Sequence, residues 1–474
     1  MEREMCKYEK KCGGCQLQNM DYERQLRFKQ GREITLLGKF CHVEPIIGMD
    51  DPLHYRCKVQ AAFNYSNGHL ISGVYQSSSH RIVPLDECMI EDIGADKIVV
   101  SIRKLAEKFK IHAFDDRKMT GFLRHVLVRR GYYTGQYMVV LVTAQEEFPS
   151  RKAFIKELLK LHPEITTIAQ NVNNKFTSLV LGDKTMTLYG DGYIEDKLCG
   201  CTFRISPKSF YQINPPMTEK LYATAIGYLN LHGRERVIDA YCGTGTIGII
   251  AAKSAKQVIG TEVNADAVRD ARDNAKRNGI DNIEFVKADA SEFMEELSGE
   301  GITADAIIMD PPRAGSTVKF MKSAIAMQPK RIVYVSCNPE TLARDLGYFT
   351  KNGYDCVKIQ PVDMFPYTEH VETVVLLSKG EIDSKRIRVE FPLDDMEITA
   401  FREKATYPQI KEYVLEQTGL KVSSLYISQI KRKCGLDVGD SYNKPKSENA
   451  KVPQCPPEKE KAIMDALWHF GMIS

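Results

Sequence analysis

Between residues 200 and 380, short apolar runs alternate with segments of helical character, and this alternation constrains the fold more than any other feature. The runs that read as strands lie at residues 236–239, 258–262, 283–286, 306–310 and 331–336. Strands that alternate with helices form a parallel sheet whose faces are covered by the helices. The sequence therefore predicts an α/β domain over residues 201–380.

The remaining parts of the 474-residue chain predict three further regions. Residues 1–45 hold a group of cysteines and a polar helical pattern at 22–37. Residues 46–200 hold strand-like runs separated by Gly and Asn, which predicts a central, mostly β domain of the α+β type. Residues 381–474 predict a small helical C-terminal extension flanked by charged and Pro/Lys/Ser-rich linkers.

Composition narrows the class of protein. With 43% apolar and 27% charged residues, the chain matches ordinary folded proteins. Its apolar stretches, such as residues 138–142, are far too short to cross a bilayer, and the charged N-terminus lacks the apolar region of a signal peptide. We therefore expect a cytoplasmic protein without a membrane partner. The net charge of +3 identifies no partner, because nucleic-acid binders are marked by clustered rather than total charge.

A glycine-rich turn at residues 237–248, VIDAYCGTGTIG, lies between a predicted strand and a predicted helix. Glycines let the backbone approach a ligand closely. The next strand ends at Glu262, 19 residues after Gly243 (262 − 243), and an acidic residue at about this distance accepts hydrogen bonds from a ribose. A dinucleotide and S-adenosylmethionine would both use this geometry. The order GTGTIG, which differs from GxGxxG, favours S-adenosylmethionine.

Two later strands end in reactive sequences, DPPR at residues 310–313 and VSCNP at 335–339. In open parallel sheets, ligands bind at the carboxyl ends of the strands. Asp310 and Cys337 should therefore face the same cleft as the glycine-rich turn, which makes Cys337 a candidate nucleophile.

A candidate base follows in the segment MFPYTEHVETVV at residues 364–375, which contains Glu369, His370 and Glu372. Glu372 is the preferred base because it begins an apolar strand that would hold its side chain in place. Glu369 reads as a surface charge before that strand.

At this point five segments resemble the RNA uracil-C5 methyltransferase family: DAYCGTGTIG, GTEVNADAV, DPPRAG, VSCNPETLARDL and FPYTEHVETVVLL. Together with ISPKSFYQINPPMTEKLY, the resemblance covers residues 1–380 in the family's order. It implies a Rossmann-like domain that transfers the methyl group of S-adenosylmethionine to C5 of a uridine in RNA.

The resemblance also implies roles for individual residues. Cys337 would be the nucleophile and Glu372 the proton acceptor. Contacts with S-adenosylmethionine are implied for Gln212, Tyr241, Glu262 and Asp310. Gln212 and Tyr241 carry no signal of their own apart from the resemblance.

The chemistry of uracil agrees with this pair of residues. C5 is a poor nucleophile until a thiolate adds to C6, and a base must later remove the C5 proton so that the thiolate can leave. Methyltransferases that act on base nitrogens need no thiol, so Cys337 and Glu372 argue against a DNA or small-molecule enzyme. A non-catalytic iron-sulfur RNA-binding protein is a further alternative, although such a protein would not need Cys337, Asp310 or Glu372.

Thirteen cysteines without a secretion signal favour metal binding or thiol chemistry over a disulfide scaffold. Cys6, Cys12 and Cys15 form a C-x5-C-x2-C pattern that suits zinc or an iron-sulfur cluster, with a fourth ligand among Cys41, Cys57 and Cys88. The pattern resembles the ribosomal-RNA branch of the family. That resemblance implies a 4Fe-4S cluster held by Cys6, Cys12, Cys15 and Cys88, with zinc as the alternative. It also favours 23S-type large-subunit ribosomal RNA over transfer RNA as the substrate.

Many family members carry an N-terminal RNA-binding β-barrel before the cysteines. Here the cysteines begin at residue 6, so we expect the RNA contacts to come from another part of the chain. Predicted helices at 407–419 and 422–434 resemble a helix-turn-helix unit whose basic end, KRK at 431–433, would bind phosphates. A third helix is predicted at 457–470. A solvated appendage or a protein-interaction module is the alternative. Phe210, Tyr211 and Phe365 are candidates to stack on an extruded base, or else belong to the core.

Overall fold

A computed structural model describes residues 6–77, 79, 81–116, 118–175, 177, 179–380, 407–434, 455–470 and 472. Contacts divide the chain into two compact units, Met1–Asp383 and Ser384–Ser474. Across the described ranges, every helix is too short or too polar to span a membrane. The first unit begins with two helices, α1 (Glu9–Cys12) and α2 (Tyr22–Leu37).

The first sheet contains seven strands, and two helices pack beside it. The strands are β1 (Lys58–Ser66), β2 (His69–Tyr75), β3 (Ile82–Pro84), β4 (Leu123–Arg130), β5 (Tyr137–Thr143), β6 (Ile165–Val172) and β7 (Lys184–Tyr189), and the helices are α3 (Ile93–Lys108) and α4 (Arg151–Leu161). Their order is β3-β2-β1-β4-β5-β6-β7. Strands β5 and β6 run parallel, which requires the crossover that α4 provides.

Strand β5 is buried along its whole length because both of its faces are covered. Val139 and Leu141 pack in the core formed with α3 and α4. Met138 and Val140 point the other way and pack in the core of the following domain. The alternation of side chains along β5 thus links the core beside the first sheet with the core that packs against the second sheet.

The second sheet follows a hairpin of β8 (Ile194–Leu198) and β9 (Cys201–Ile205). Its strands are β10 (Arg236–Ala240), β11 (Gln257–Glu262), β12 (Ile283–Lys287), β13 (Ala306–Met309), β14 (Arg331–Ser336), β15 (Asp355–Val362) and β16 (Glu372–Ser378). The helices are α5 (Pro215–Leu229), α6 (Thr246–Ala252), α7 (Ala265–Arg277), α8 (Ala290–Gly299), α9 (Val318–Ala326) and α10 (Pro339–Lys351).

The order of the second sheet is β12-β11-β10-β13-β14-β16-β15. Strands β10 to β14 are parallel, whereas β16 is antiparallel to β14 and to β15. This arrangement confirms the predicted Rossmann-like α/β fold. The chain moves outward from β10 to β12 and then returns to β13 on the other side of β10. Ligands bind outside the carboxyl ends of the strands at such a reversal, which here means at Tyr241 and Asp310.

Helix α2 packs against the second sheet through polar side chains. Lys29 and Glu33 are fully buried. The Lys29 Nζ donates to Oδ1 of Asp363 at 2.6 Å and to the carbonyl oxygen of Phe365 at 3.0 Å. The Thr373 hydroxyl donates to Oε2 of Glu33 at 2.9 Å. These bonds fix α2 to the segment that leads into β16.

The second unit contains α11 (Tyr407–Thr418), α12 (Ser424–Lys433) and α13 (Pro457–His469), packed around a small apolar core. Two of the three basic residues at the end of α12 contact other residues of the second unit. The Lys431 Nζ lies 4.7 Å from the centre of the Tyr407 ring, and Lys433 pairs with Glu460. The predicted linkers lie largely at residues 381–406 and 435–454, outside the described residues.

We predict that Lys29→Met destabilises the protein strongly, because it leaves the Asp363 carboxylate buried without its cation. Removing one partner of a buried ion pair costs about 3–5 kcal/mol. Arg27→Met is the matched control, since Arg27 forms an exposed pair with Glu23 on the same helix at 3.7 Å. Urea denaturation of both variants measures the difference, and equal midpoints would contradict the structural role of Lys29.

Candidate active site

The turn after β10 has an unusual backbone. Tyr241, Gly243 and Gly245 have φ values of +66°, +55° and +80°. A Cβ on Gly245 would lie 2.7 Å from the Phe285 ring, so only glycine fits there. The Gly243 N–H donates to Oε2 of Glu262 at 3.2 Å. The predicted cofactor loop and the carboxylate at the end of β11 therefore lie side by side.

Two adjoining cavities open beside this turn. The smaller, about 40 Å³, is lined by residues that include Gln212, Tyr241 and Asp310. The larger, about 340 Å³, is lined in part by Glu262 and shares Phe210 with the smaller one. The structure thus brings together the four residues predicted to contact S-adenosylmethionine, at the point where the strand order reverses.

Asp239 also lines the smaller cavity, and the sequence reasoning missed it. Its side chain is buried, and within the described residues its Oδ2 has no hydrogen-bond partner. Burial raises the pKa of Asp239 to about 7. A Cβ on Gly248 would lie 2.6 Å from this oxygen. The available signal was an acidic residue inside the otherwise apolar strand VIDA.

The pairing of β14 with β16 determines where the candidate nucleophile and base lie. Ser336 is opposite Thr373 in the antiparallel register. Cys337 directly follows β14 and Glu372 begins β16, so both residues lie beside this last pair, and the charge of Glu372 acts on the thiol. Asp310 follows β13, which is the other neighbour of β14. The thiol and the two carboxyls therefore meet at one edge of the sheet.

Burial and the repulsion between negative charges raise the pKa values of these three groups. Burial, followed by the charges of Glu372 and Asp310, raises the pKa of Cys337 to about 11, while Arg313 opposes the shift. Burial and Asp310 raise the pKa of Glu372 well above its ordinary value, and burial raises the pKa of Asp310 to about 7. Because one negative charge disfavours the next, the three groups titrate as a set.

Cys337 is half-buried and lies in a cavity of about 180 Å³. Arg32, Arg313, Glu340 and His370 are among the other residues that line it. Glu369 lines the same cavity and is exposed, in agreement with its interpretation as a surface charge. The Cys337 thiol is thus partly exposed, in a cavity that both cationic and anionic side chains line.

The aromatic candidates for base stacking differ in position. Phe210 is 67% exposed, beside both cofactor cavities. Tyr211 belongs to the buried core, and Phe365 packs against that core. Only the exposed ring of these three is free to stack on a ligand.

The N-terminal cysteines lie near Cys88 without forming a metal site. Lys7 pairs with Glu87 at 2.7 Å, and the Asp86 N–H donates to the Tyr8 hydroxyl at 3.4 Å, so the segment with Cys6, Cys12 and Cys15 lies beside the loop that carries Cys88. In the part of the chain that the structure describes, no group of three or more His, Cys, Asp or Glu is arranged to hold a metal ion. The four cysteines therefore share one region of the fold, and their thiols do not converge on a single point there.

Known proteins are similar to this chain over most of its length. A family model described as tRNA (uracil-5-)-methyltransferase matches residues 21–380. An uncharacterized RNA methyltransferase of Oceanobacillus iheyensis is 47% identical over 373 residues, covering 77% of this chain and 81% of the relative. A second, from Halalkalibacterium halodurans, is 46% identical over 377 residues, covering 78% and 82%.

A solved structure is also similar. The Pyrococcus abyssi tRNA (uracil-54, C5)-methyltransferase in complex with S-adenosyl-L-homocysteine superposes with a TM-score of 0.64 at 30% identity, covering 77% of this chain and 86% of that one. The chain therefore belongs to the tRNA (uracil-5-)-methyltransferase family and is an S-adenosylmethionine-dependent RNA methyltransferase.

Proposed function

We propose that this protein methylates C5 of a uridine in RNA through a covalent bond between Cys337 and C6. The observation that carries the proposal is the closeness of Cys337 and Glu372: Cys337 directly follows β14, Glu372 begins the paired strand β16, and the charge of Glu372 acts on the thiol. A nucleophile and a base on opposed strand ends suit a reaction that needs both on one pyrimidine ring.

The Cys337 thiolate adds to C6 of the uracil ring, and the electron pair of the C5–C6 double bond becomes available at C5. When bound, S-adenosylmethionine would supply the methyl group that C5 takes up, with cleavage of its sulfonium S–CH3 bond and S-adenosylhomocysteine as the leaving group. The Glu372 carboxylate then accepts the C5 proton, the C5–C6 double bond forms again, and the Cys337 sulfur leaves C6 as a thiolate. Cys337 is thus regenerated in the form that begins the next cycle.

Glu372 is suited to accept a proton because its environment disfavours the carboxylate. Its side chain is 5% exposed, and Asp310 lies near enough to raise its pKa further. A base with a raised pKa binds a proton more strongly, which favours removal of the C5 proton. Gln212, Tyr241, Glu262 and Asp310 would hold S-adenosylmethionine, with the Glu262 carboxylate positioned to accept hydrogen bonds from a ribose.

We predict that Glu372→Gln traps the covalent RNA adduct. Turnover should fall at least about 100-fold, since a general base contributes 10²–10⁴-fold. Adduct formation should extend to lower pH, because Glu372 raises the pKa of Cys337 and glutamine carries no charge. Denaturing gels over a pH series with radiolabelled RNA measure both effects. Glu369→Gln is the matched control, and turnover of the Glu372 variant at the control's rate would contradict the role of Glu372.

The RNA class is a separate part of the proposal. We propose large-subunit ribosomal RNA, supported by the C-x5-C-x2-C pattern, which resembles the ribosomal-RNA branch of the family. Transfer RNA is the second candidate because the solved Pyrococcus abyssi relative acts on it.

Nucleoside mass spectrometry of ribosomal and transfer RNA from cells with and without the gene tests this choice. We expect loss of 5-methyluridine at a ribosomal position in the deletion strain, restored by the wild-type gene and not by a Cys337→Ala copy. Loss confined to transfer RNA would overturn the ribosomal proposal and keep the reaction. No loss in either RNA would overturn the reaction.

We further propose that Cys6, Cys12, Cys15 and Cys88 bind a 4Fe-4S cluster. The cysteine spacing supports this proposal, as do the contacts that hold the two segments together, although the thiols would have to converge on the cluster. The reaction described above needs no step at a cluster.

We predict that protein purified without oxygen contains iron and acid-labile sulfide and absorbs visible light. Cys88→Ser should lose both components, whereas Cys455→Ser in the second unit should keep them. Zinc without sulfide would identify the alternative metal site, and protein lacking both metals would contradict a metal site of either kind.

A further inference from the structure

Two arginines stand at the mouth of the cavity that contains Cys337, and the reaction described above uses neither of them. Arg32 belongs to α2, outside the second sheet, and Arg313 follows β13. The Arg313 side chain is exposed. Guanidinium groups bind the phosphates of nucleic acids through several donors at once, so their position beside a nucleophile for RNA indicates a contact with the strand.

Arg32 is held in place from two sides. Its Nη2 donates to Oε1 of Glu340, in the first turn of α10, at 2.7 Å. One turn earlier on α2, the buried Lys29 bonds to Asp363 and fixes the helix. The Arg32 side chain is 32% exposed and the Glu340 side chain 60% exposed, so an ion from solvent can reach the pair.

The charges around Arg32 favour an anion at this point. Burial lowers the pKa of His370, and the charges of Arg313, Lys29 and Arg32 lower it further, whereas Glu369 raises it, so three positive charges and one negative charge act on the region around its ring. In the absence of RNA, the carboxylate of Glu340 takes the place next to Arg32. A phosphate carries the same negative charge and can replace that carboxylate.

The geometry of the reaction leaves the phosphates of the target nucleotide outside the cavity. A uracil whose C6 reaches the sulfur of Cys337 must enter the cavity as a base turned out of the strand, and its two flanking phosphates then remain outside the base pocket. Arg32 lines the same cavity as Cys337.

We propose that Arg32 binds a backbone phosphate next to the target uridine and exchanges its ion pair with Glu340 for that phosphate. This inference rests on the proposed function for the identity of the strand, because the uridine must reach Cys337. It adds a phosphate-binding subsite to the proposed function. The guanidinium of this subsite comes from α2, which lies outside the second sheet.

The test is binding of a fluorescein-labelled 12-nucleotide single-stranded RNA with one uridine, measured by anisotropy with the full-length protein. For Arg32→Gln we expect the Kd to rise about tenfold, the effect of one charge-assisted contact. The slope of log Kd against log salt should decrease by about 0.7, the value for one phosphate contact on a single strand. Arg27→Gln removes the same charge from an exposed site on the same helix and should change the Kd less than twofold.

Glu340→Gln tests whether the phosphate replaces the Glu340 carboxylate at Arg32 or is only attracted by the charge of Arg32. It should tighten RNA binding about threefold in the wild-type background, because the phosphate no longer competes with a carboxylate. In the Arg32→Gln background the same change should have no effect. Equal effects of Glu340→Gln in both backgrounds would overturn the exchange.

Binding is measured without methyl transfer, so the subsite and the proposed function fail separately. Wild-type Kd and salt slope in Arg32→Gln, with normal methylation by the wild-type protein, would overturn the subsite alone. If Arg32→Gln weakens RNA binding but the wild-type protein methylates no uridine, the proposed methyltransferase function is overturned and the phosphate subsite is not. Arg32→Lys keeps the charge and should give an intermediate Kd. If Arg32→Gln does not fold, a wild-type Kd for Arg32→Lys overturns the subsite.

Discussion

One strand that runs against its neighbours determines where this protein can carry out its chemistry. Strands β10 to β14 are parallel, so their carboxyl ends form one ligand-binding edge. Strand β16 enters beside β14 in the opposite direction and therefore begins at that edge. Its first residue, Glu372, therefore lies at the same end of the sheet as Cys337, which directly follows β14. A parallel strand in that position would put its first residue at the far edge of the sheet, away from the thiol.

The same constraint explains the electrostatics of the site. Three acidic groups at adjacent strand ends are partly or fully buried and lie close together, so each disfavours the charge of the others. Helix α2 completes this environment, because Glu33 accepts a hydrogen bond from Thr373, the residue after Glu372. The Lys29–Asp363 pair then holds the segment before β16 in place. The N-terminal helix is thus part of the architecture that positions the candidate base.

Much of this arrangement follows from local sequence. The strand at Arg331–Ser336 and the helix at Tyr22–Leu37 begin and end where their patterns predict, because apolar runs and polar helical patterns record local preferences. The side on which β16 joins the sheet, the Asp239 carboxyl in the cofactor cavity and Arg32 beside Cys337 depend on tertiary packing. Arg32 and Cys337, for example, are 305 positions apart in the sequence (337 − 32), and no local pattern shows that they meet. The polar buried face of α2 is a clear case, since its side chains read as solvent-exposed until their partners are known.

The most direct test of the central claim uses RNA in which the target uridine is replaced by 5-fluorouridine. Fluorine at C5 cannot be removed as a proton, so an adduct that has accepted the methyl group cannot be resolved by Glu372. After incubation with S-adenosylmethionine, mass spectrometry should find the RNA and one methyl group attached to the peptide that contains Cys337, and no adduct in Cys337→Ala protein. An enzyme that methylates ordinary uridine and forms no adduct with the fluorinated RNA, or forms it on another residue, would contradict the account.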